Sequence, residues 1–141
     1  MFMLDKRLEQ DCIRVGEFDL CMVLLLNDAN FPWVILVPKI EGVSELYDLS
    51  EQDQQQFMKE SSCVALMLKS LFKPDKLNIA AIGNKVRQLH IHHIARFEND
   101  KCWPETVWGY GGGRAYTETE KSGILNKIRA FLDGSCGFKS T

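Results

Sequence analysis

Three short hydrophobic runs in the first forty residues predict β-strands. They are CIRVGEF at 12–18, LCMVLLLN at 20–27 and WVILVPK at 33–39. The second run is so apolar that it indicates a central strand without a solvated face. Asn30 and Pro32 interrupt the pattern with turn chemistry before the third run. Because the strands are short and closely linked, antiparallel pairing is favoured.

The pattern then changes to a helical period. Ser50 precedes a stretch in which apolar residues recur at the spacing of one helix face, namely Phe57, Cys63 or Val64, Met67, Leu68 and Leu71. Ser50 and Asp53 fit a helix start, with Asp in place of the usual Glu at the third helical position. The sequence KPD follows Phe72, and the residue before a proline avoids helical angles, so the helix is predicted to end there.

Two more strands and a second helix complete the pattern. LNIAAIG at 77–83 and QLHIHHIARF at 88–97 predict strands joined by a tight NKVR connection. After a long irregular stretch, Thr117 with Glu120 predicts the start of a helix that runs to about Leu132.

This order of elements predicts an α+β domain with two main helices packed on an antiparallel sheet of about five strands. The chain has no internal repeat and no linker between domains, and its length suits one hydrophobic core. We therefore expect a single domain over 1–133, followed by a loose tail over 134–141.

Composition excludes several classes of partner. With 17 basic and 19 acidic residues the chain has no excess of positive charge to neutralise a phosphate backbone, so no nucleic acid partner is expected. The apolar runs fall short of the roughly 20 residues that a membrane span needs. The start MFMLDKRLEQD lacks the order of a signal peptide, which predicts a cytoplasmic protein. Five cysteines without a C-x-x-C pair predict reduced thiols.

All three histidines of the chain lie in QLHIHHIARF. Alternate residues of a strand share a face, so Gln88, His90 and His92 are predicted to point one way, and His93 the other. The Cβ atoms of His90 and His92 are expected roughly 6.6 Å apart, close enough for both rings to contact one small group.

Four interpretations of this pair remain open on spacing alone. The histidines could simply line a polar, solvated strand face. They could bind zinc or iron, although Gln88 is a poor third ligand. One imidazole could attack a phosphorus atom while its neighbour donates to the phosphate oxygens. Both could instead perform general acid–base catalysis.

The stretch Q-L-H-I-H-H-I-A-R resembles the signature strand of the histidine triad (HIT) superfamily. LLLNDANFPWVILVPK is similar to the hairpin of that family, and the following helix and the strand LNIAAIGN occur in family order. ENDKCWPETVWG is similar to a bacterial branch of the family. The resemblance covers roughly residues 12 to 108.

The resemblance implies a nucleotide hydrolase or transferase that works through a nucleotidylated histidine. By position, His90 matches the nucleophile, and His92 matches the last triad member, which donates to a phosphate oxygen. Gln88 stands in place of the first histidine; it can still position the His90 ring but cannot take up charge near neutral pH. Trp33 stands where the family commonly has histidine. Both departures put turnover in question.

Further site residues follow from the resemblance. Asn27 matches the residue that holds the ribose hydroxyls, and Asn84 is placed near the phosphates, although both positions also fit simple turn formers. Trp108 and the glycine run at 109–113 are expected to form a mobile segment on the substrate side, with plain packing as the alternative for the tryptophan.

The resulting prediction is a phosphoramidase or dinucleoside polyphosphate hydrolase that acts on a purine nucleotide and forms a homodimer as the family does. No metal is required, although Mg²⁺ could accompany a polyphosphate substrate. One alternative is a catalytically weak nucleotide sensor. The other is a metal-binding protein that uses His90 and His92.

Overall fold

Six strands form one antiparallel sheet in the computed structural model, which describes residues 1–141. The strands lie in the order β4-β5-β3-β2-β1-β6. Their bounds are Cys12–Glu17 (β1), Cys21–Leu26 (β2), Trp33–Pro38 (β3), Lys76–Ala81 (β4), Ile91–Arg96 (β5) and Lys139–Ser140 (β6). The predicted α+β class with about five antiparallel strands is confirmed, and the sixth strand is contributed by the C-terminal tail.

Three α-helices accompany the sheet: α1 (Lys6–Asp11), α2 (Glu51–Phe72) and α3 (Glu118–Leu132), with a single 3-10 turn at Leu46–Asp48. The hydroxyl of Ser50 accepts a hydrogen bond from the backbone N–H of Asp53, and a reciprocal capping box joins Thr117 and Glu120. These contacts satisfy backbone donors that a helix start leaves free, so both main helices begin where the sequence predicts. None of the helices is long and apolar enough to cross a membrane.

Different elements pack on the two faces of the sheet. Helices α2 and α3 pack on one face over a cluster that includes Val23, Leu36 and Val64. The other face holds a smaller cluster around Leu24 and Ile35, covered by α1 and by the irregular segment after β5. Because strand residues alternate between faces, this second face is the one that receives His90 and His92.

The C-terminal segment differs from the loose tail expected for 134–141. Residues 139–140 pair with β1 as β6, and the ring of Phe138 is 4% exposed and packs edge-on against Phe18 at 5.5 Å between centroids. Burial of one aromatic side chain holds a segment whose other residues are mostly polar or glycine.

The expectation of five reduced cysteines is wrong for Cys63 and Cys136, which form a disulfide between α2 and this segment.

The histidine strand begins later than predicted. The sequence predicts a strand over 88–97, whereas β5 spans Ile91–Arg96. Just before it, the backbone N–H of Leu89 donates to the carbonyl of Val43 in a loop, not to a neighbouring strand. Gln88 and His90 therefore lie on a bent approach to β5, and the hydrophobic alternation of the sequence does not reveal this bend.

The third histidine is a core residue. His93 is fully buried under α2, where its Nε2 lies 2.8 Å from the hydroxyl oxygen of Ser61 and its Nδ1 lies 3.2 Å from the carbonyl oxygen of Ile91. Since a carbonyl only accepts, Nδ1 carries the proton and Nε2 accepts from Ser61. His93 is thus a packed, hydrogen-bonded residue on the face opposite His92.

We expect the free energy of unfolding to fall as the pH drops from about 6.5 toward 4. Burial lowers the pKa of His92 and of His93 to about 4 in the folded chain. The unfolded chain takes up these protons already below about pH 6.5, and each such group costs up to about 1.4 kcal/mol per pH unit in that window. Urea unfolding at about pH 7 and about pH 4.5 measures the slope, which His93→Leu should reduce by roughly half. Equal slopes in the two chains would contradict the assignment.

Candidate active site

His90 and His92 form a pair of imidazoles on the sheet face opposite α2 and α3. Their ring centroids are 5.1 Å apart, and the residues are 7% and 8% exposed. The structure thus brings the two predicted histidines together even though His90 precedes the regular strand. Their small exposed fraction faces cavities, so a bound group would meet both rings in a largely desolvated place.

A backbone contact determines which nitrogen of His90 is protonated. Nδ1 of His90 lies 2.7 Å from the main-chain carbonyl oxygen of Gln88. A carbonyl oxygen has no proton to give, so the Nδ1–H of His90 donates to it. In the neutral ring the other nitrogen, Nε2, then keeps its lone pair. His90 is therefore held in the tautomer that a nucleophile or a general base requires.

The partner of His92 fixes the opposite tautomer. The indole Nε1–H of Trp33 donates to Nδ1 of His92 over 2.9 Å. Indole is a donor only, so Nδ1 of His92 must accept, and the proton of the neutral ring lies on Nε2. Burial, together with His90 and His93 nearby, lowers the pKa of His92 to about 4. His92 is thus a neutral hydrogen-bond donor across the physiological pH range.

A cavity of about 640 Å³ opens onto both rings. Its apolar wall consists of Leu8, Leu26, Trp33, Ile35, Val86 and Trp108, and its charged residues are Arg7, Asp11 and Lys85. This volume lies within the usual range of small-molecule sites. An adjoining cavity of about 440 Å³ contains the same two histidines with Asn84 and Trp108. Apolar surface, two cations and a pair of imidazoles therefore converge at one place.

A buried ion pair supports the segment that presents Trp108. The guanidinium of Arg96 is bound by both carboxylate oxygens of Asp100, at 2.8 and 3.2 Å, and donates to the carbonyl of Glu105. Burial opposes ionisation of Asp100, but hydrogen bonds from Arg96 and from backbone N–H groups outweigh it and lower the pKa of that carboxyl to about 2. Trp108 then packs against His92, with 5.3 Å between ring centroids.

The glycine run at 109–113, expected to be mobile, is held at several points. The carboxylate of Asp28 accepts from the Tyr110 hydroxyl and from the backbone N–H of Arg114. The amide of Asn30 donates to the Tyr110 hydroxyl and to the carbonyl of Gly112. These contacts fasten the run to the turn before β3, beside the cavity, so the structure does not support a free segment.

The other predicted site residues are placed differently from one another. Asn84 borders the cavities around His90. Asn27 lies in a neighbouring cavity, and its side-chain oxygen already accepts from the backbone N–H of Tyr116. The side-chain amide of Gln88 is bound to the N-terminal segment, through Met3 and Asp5, and makes no hydrogen bond to His90. It is the main-chain carbonyl of Gln88 that contacts the His90 ring.

Sequence reasoning missed two contributors to the site. Helix α1, which supplies Arg7, Leu8 and Asp11 to the cavity, has a single buried residue and no apolar period, although Asp5 at its N-cap was a readable signal. No sequence pattern predicts that Asp28 holds the glycine run, because its partner Tyr110 lies 82 residues away in the chain.

Comparisons with known proteins assign the chain to a family. The family profile described as "HIT domain" matches residues 7–99, and the chain therefore belongs to the HIT family. The superfamily comprises nucleotide-binding proteins, hydrolases and transferases. A search of curated proteins gave no significant match.

Several solved structures of histidine triad proteins are similar over nearly the whole chain. A protein from Marinobacter aquaeolei VT8 has 44% sequence identity and a TM-score of 0.92, with 94% of this chain and 97% of the other covered. One from Bradyrhizobium japonicum has 44% identity and a TM-score of 0.91, with 93% and 98% covered. One from Sinorhizobium meliloti 1021 has 42% identity and a TM-score of 0.91, with 94% and 98% covered.

Proposed function

We propose that the protein is a nucleotide hydrolase or nucleotidyl transferase that cleaves a phosphoanhydride or phosphoramidate bond at the α-phosphorus of a purine nucleotide. The observation that carries this proposal is the pair of opposite tautomers. His90 offers a lone pair on Nε2, and its neighbour His92 offers a proton on Nε2. A nucleophile beside a neutral donor is what attack on a phosphorus atom requires.

The first chemical step forms a covalent intermediate. Nε2 of His90 bonds to the α-phosphorus while the bond to the leaving group breaks, and the leaving group departs with the electron pair. The ring then carries a positive charge, which the carbonyl of Gln88 stabilises through Nδ1–H. The Nε2–H of His92 donates to a non-bridging phosphate oxygen as negative charge develops there.

Hydrolysis then regenerates the histidine. Water attacks the phosphorus, Nε2 of His90 leaves with its electron pair, and nucleoside monophosphate is released as the water loses a proton to solvent. A second nucleophile in place of water would give transfer instead. Gln88 supplies no proton in either step, because a neutral amide does not titrate near pH 7. An amine leaving group therefore takes its proton from solvent, whereas a phosphate leaves as a stable anion.

The cavity supports a nucleotide with its phosphate at the histidines. Its apolar wall, with Trp33 and Trp108, suits a purine ring, and Arg7 and Lys85 supply positive charge for the phosphates. The scheme needs no metal ion, and Mg²⁺ would enter only with a polyphosphate substrate. His90 and His92 have no third His, Cys, Asp or Glu partner arranged to complete a metal site.

Incubation with adenosine phosphoramidate or a diadenosine polyphosphate tests the proposal. We expect release of AMP, measured by chromatography, in proportion to the amount of protein. No release, together with measurable AMP binding, would contradict the enzyme and favour a nucleotide sensor. Neither release nor binding would contradict a nucleotide site of any kind.

Replacing Trp33 with Phe should lower kcat about fivefold with little change in KM, since a hydrogen bond to His92 is worth about 1 kcal/mol. Without the indole N–H, the His92 ring can place its proton on either nitrogen and donates to the phosphate less often. Steady-state kinetics on the phosphoramidate measures the effect. Trp103→Phe is the matched control, because Trp103 packs on Arg96 and lines neither cavity that contains the two histidines. An unchanged kcat in Trp33→Phe would remove the tautomer argument.

We also propose that two copies associate through apolar surface that the single chain leaves exposed. Ile79 on the edge strand β4 is 51% exposed, and Met58 and Leu66 on α2 are 60% and 63% exposed. Exposed apolar side chains on neighbouring elements are typical of a subunit interface. Sedimentation equilibrium should give twice the mass of the chain; a monomer at tens of micromolar would contradict this.

A further inference from the structure

The side chain of Gln88 joins the N-terminal segment to the histidine strand. Its Oε1 accepts from the backbone N–H of Asp5 over 2.8 Å, and its Nε2 donates to the carbonyl of Met3 over 2.8 Å. Both ends of one amide are thus used on the same short segment. These partners are 83 and 85 residues away along the chain, so the contact is a tertiary clamp.

The clamp acts at the start of α1. Asp5 is the N-cap of that helix, and its carboxylate accepts from the backbone N–H of Arg7 over 2.8 Å. The other end of α1 is fixed by the carbonyl of Asp11, which accepts from the backbone N–H of Asn27. A six-residue helix is too short to be stable by itself, so these two attachments determine where it lies.

Helix α1 forms one wall of the cavity that contains the histidines. Arg7, Leu8 and Asp11 face that cavity, and the side chain of Leu8 is 6% exposed within the cluster on this face of the sheet. Phe2 and Leu4 pack against the same cluster. The position of this wall therefore depends on the amide of Gln88.

We propose that Gln88 is a positioning residue for nucleotide binding: its amide clamps α1 as a wall of the site, while its carbonyl alone serves the nucleophile. The inference rests on the proposed function, because it takes this cavity as the nucleotide site. It assigns the first triad position a task different from proton delivery. The side-chain amide then affects the affinity for substrate and leaves the chemical step unchanged.

Two changes remove the clamp by independent routes. Gln88→Met keeps the length of the side chain and removes both hydrogen bonds, and deletion of residues 1–4 removes the Met3 carbonyl. Each change should raise KM for the phosphoramidate, and the Kd for AMP, roughly three- to tenfold, with kcat within about twofold. Combined, they should cost less than the product of the two single effects, because both remove the hydrogen bond between Gln88 and Met3, while only the deletion removes the packing of Phe2 and Leu4. Gln55→Met, on the exposed side of α2, is the matched control.

The outcomes separate this inference from the proposed function. A fall in kcat with unchanged KM in Gln88→Met would overturn the clamp and assign the amide to chemistry. Multiplicative effects of the two changes would show that they act on different contacts, and would also overturn it. AMP binding that both changes leave unaltered would overturn the clamp alone, while the enzyme proposal stands. Failure of the unaltered chain to bind AMP would overturn both.

Discussion

Replacing His90 with Ala should reduce kcat by at least about a thousandfold, because the proposed mechanism forms the covalent bond to phosphorus through this ring. Nε2 of His90 is the nitrogen left unprotonated when Nδ1 donates to the Gln88 carbonyl. The same variant should still bind AMP within about tenfold of the unaltered chain, since the apolar wall and the cations of the cavity remain. Steady-state kinetics and calorimetry measure the two effects.

The chain offers a matched control for this experiment. His93 is also a histidine of β5, but it lies on the opposite face with Ser61. His93→Ala should destabilise the fold and leave kcat of the folded protein within about twofold, measured well below its melting temperature. If His90→Ala retained a tenth of the activity, or if His93→Ala lost as much as His90→Ala, His90 would not be the nucleophile.

Replacing His92 with Ala has the second largest expected effect, a loss of about a hundredfold in kcat with a smaller change in KM. The lost group is the Nε2–H that, in the proposed mechanism, donates to the phosphate oxygen as charge develops. Removal of one such donor typically lowers the rate about 10²- to 10³-fold. The pKa of about 4 keeps His92 neutral, so the loss is that of a neutral donor and should vary little between about pH 6 and 8. Kinetics at saturating substrate over that range measure it.

Two outcomes would contradict this role of His92. A change confined to KM would mean that the ring binds the ground state as well as the transition state. A loss as complete as that of His90→Ala would assign His92 to nucleophilic attack. His92→Asn, which retains an N–H donor on a shorter side chain, should recover part of the activity if donation is the task.

Most of the fold could be predicted from the sequence, because helix caps and runs of apolar residues mark the elements that the folded structure contains. Ser50 and Thr117 cap the two main helices in the structure as their patterns predict, and Lys73 ends α2 in the left-handed region just before Pro74. The three N-terminal strands follow from buried runs of apolar residues. The sequence does not predict the position of α1, because Asp5 at its N-cap is its one local signal and the contacts that attach its two ends are tertiary.

The chemistry of the site was readable only in part. Alternation along a strand places His90 and His92 on one side, and the structure has their rings 5.1 Å apart. The tautomers are set by the Gln88 carbonyl and the Trp33 indole, and no sequence pattern shows which nitrogen a distant donor will reach. For the same reason, the sequence comparison suggested that Trp33, in place of the family's histidine, weakens the site. In the structure its indole N–H donates a hydrogen bond to His92.

Gln88 illustrates the remaining difficulty. Its place in the motif predicts a side chain directed at His90, but the amide is hydrogen-bonded to residues at the start of the chain. Only the folded arrangement of the N-terminal segment reveals this partner. A substitution in a catalytic motif can therefore reflect a new tertiary contact as well as a change in chemistry.

Mass spectrometry of protein quenched by denaturation at alkaline pH during turnover of a diadenosine polyphosphate measures the central step directly, because acid would hydrolyse a bond between histidine and phosphorus. The unprotonated nitrogen of His90 should become adenylylated, so one adenylyl group is expected on the peptide that contains residues 88–97. The adduct should be absent from His90→Ala. An adduct located on another peptide, or steady release of AMP with no adduct at any time in the approach to steady state, would contradict the account.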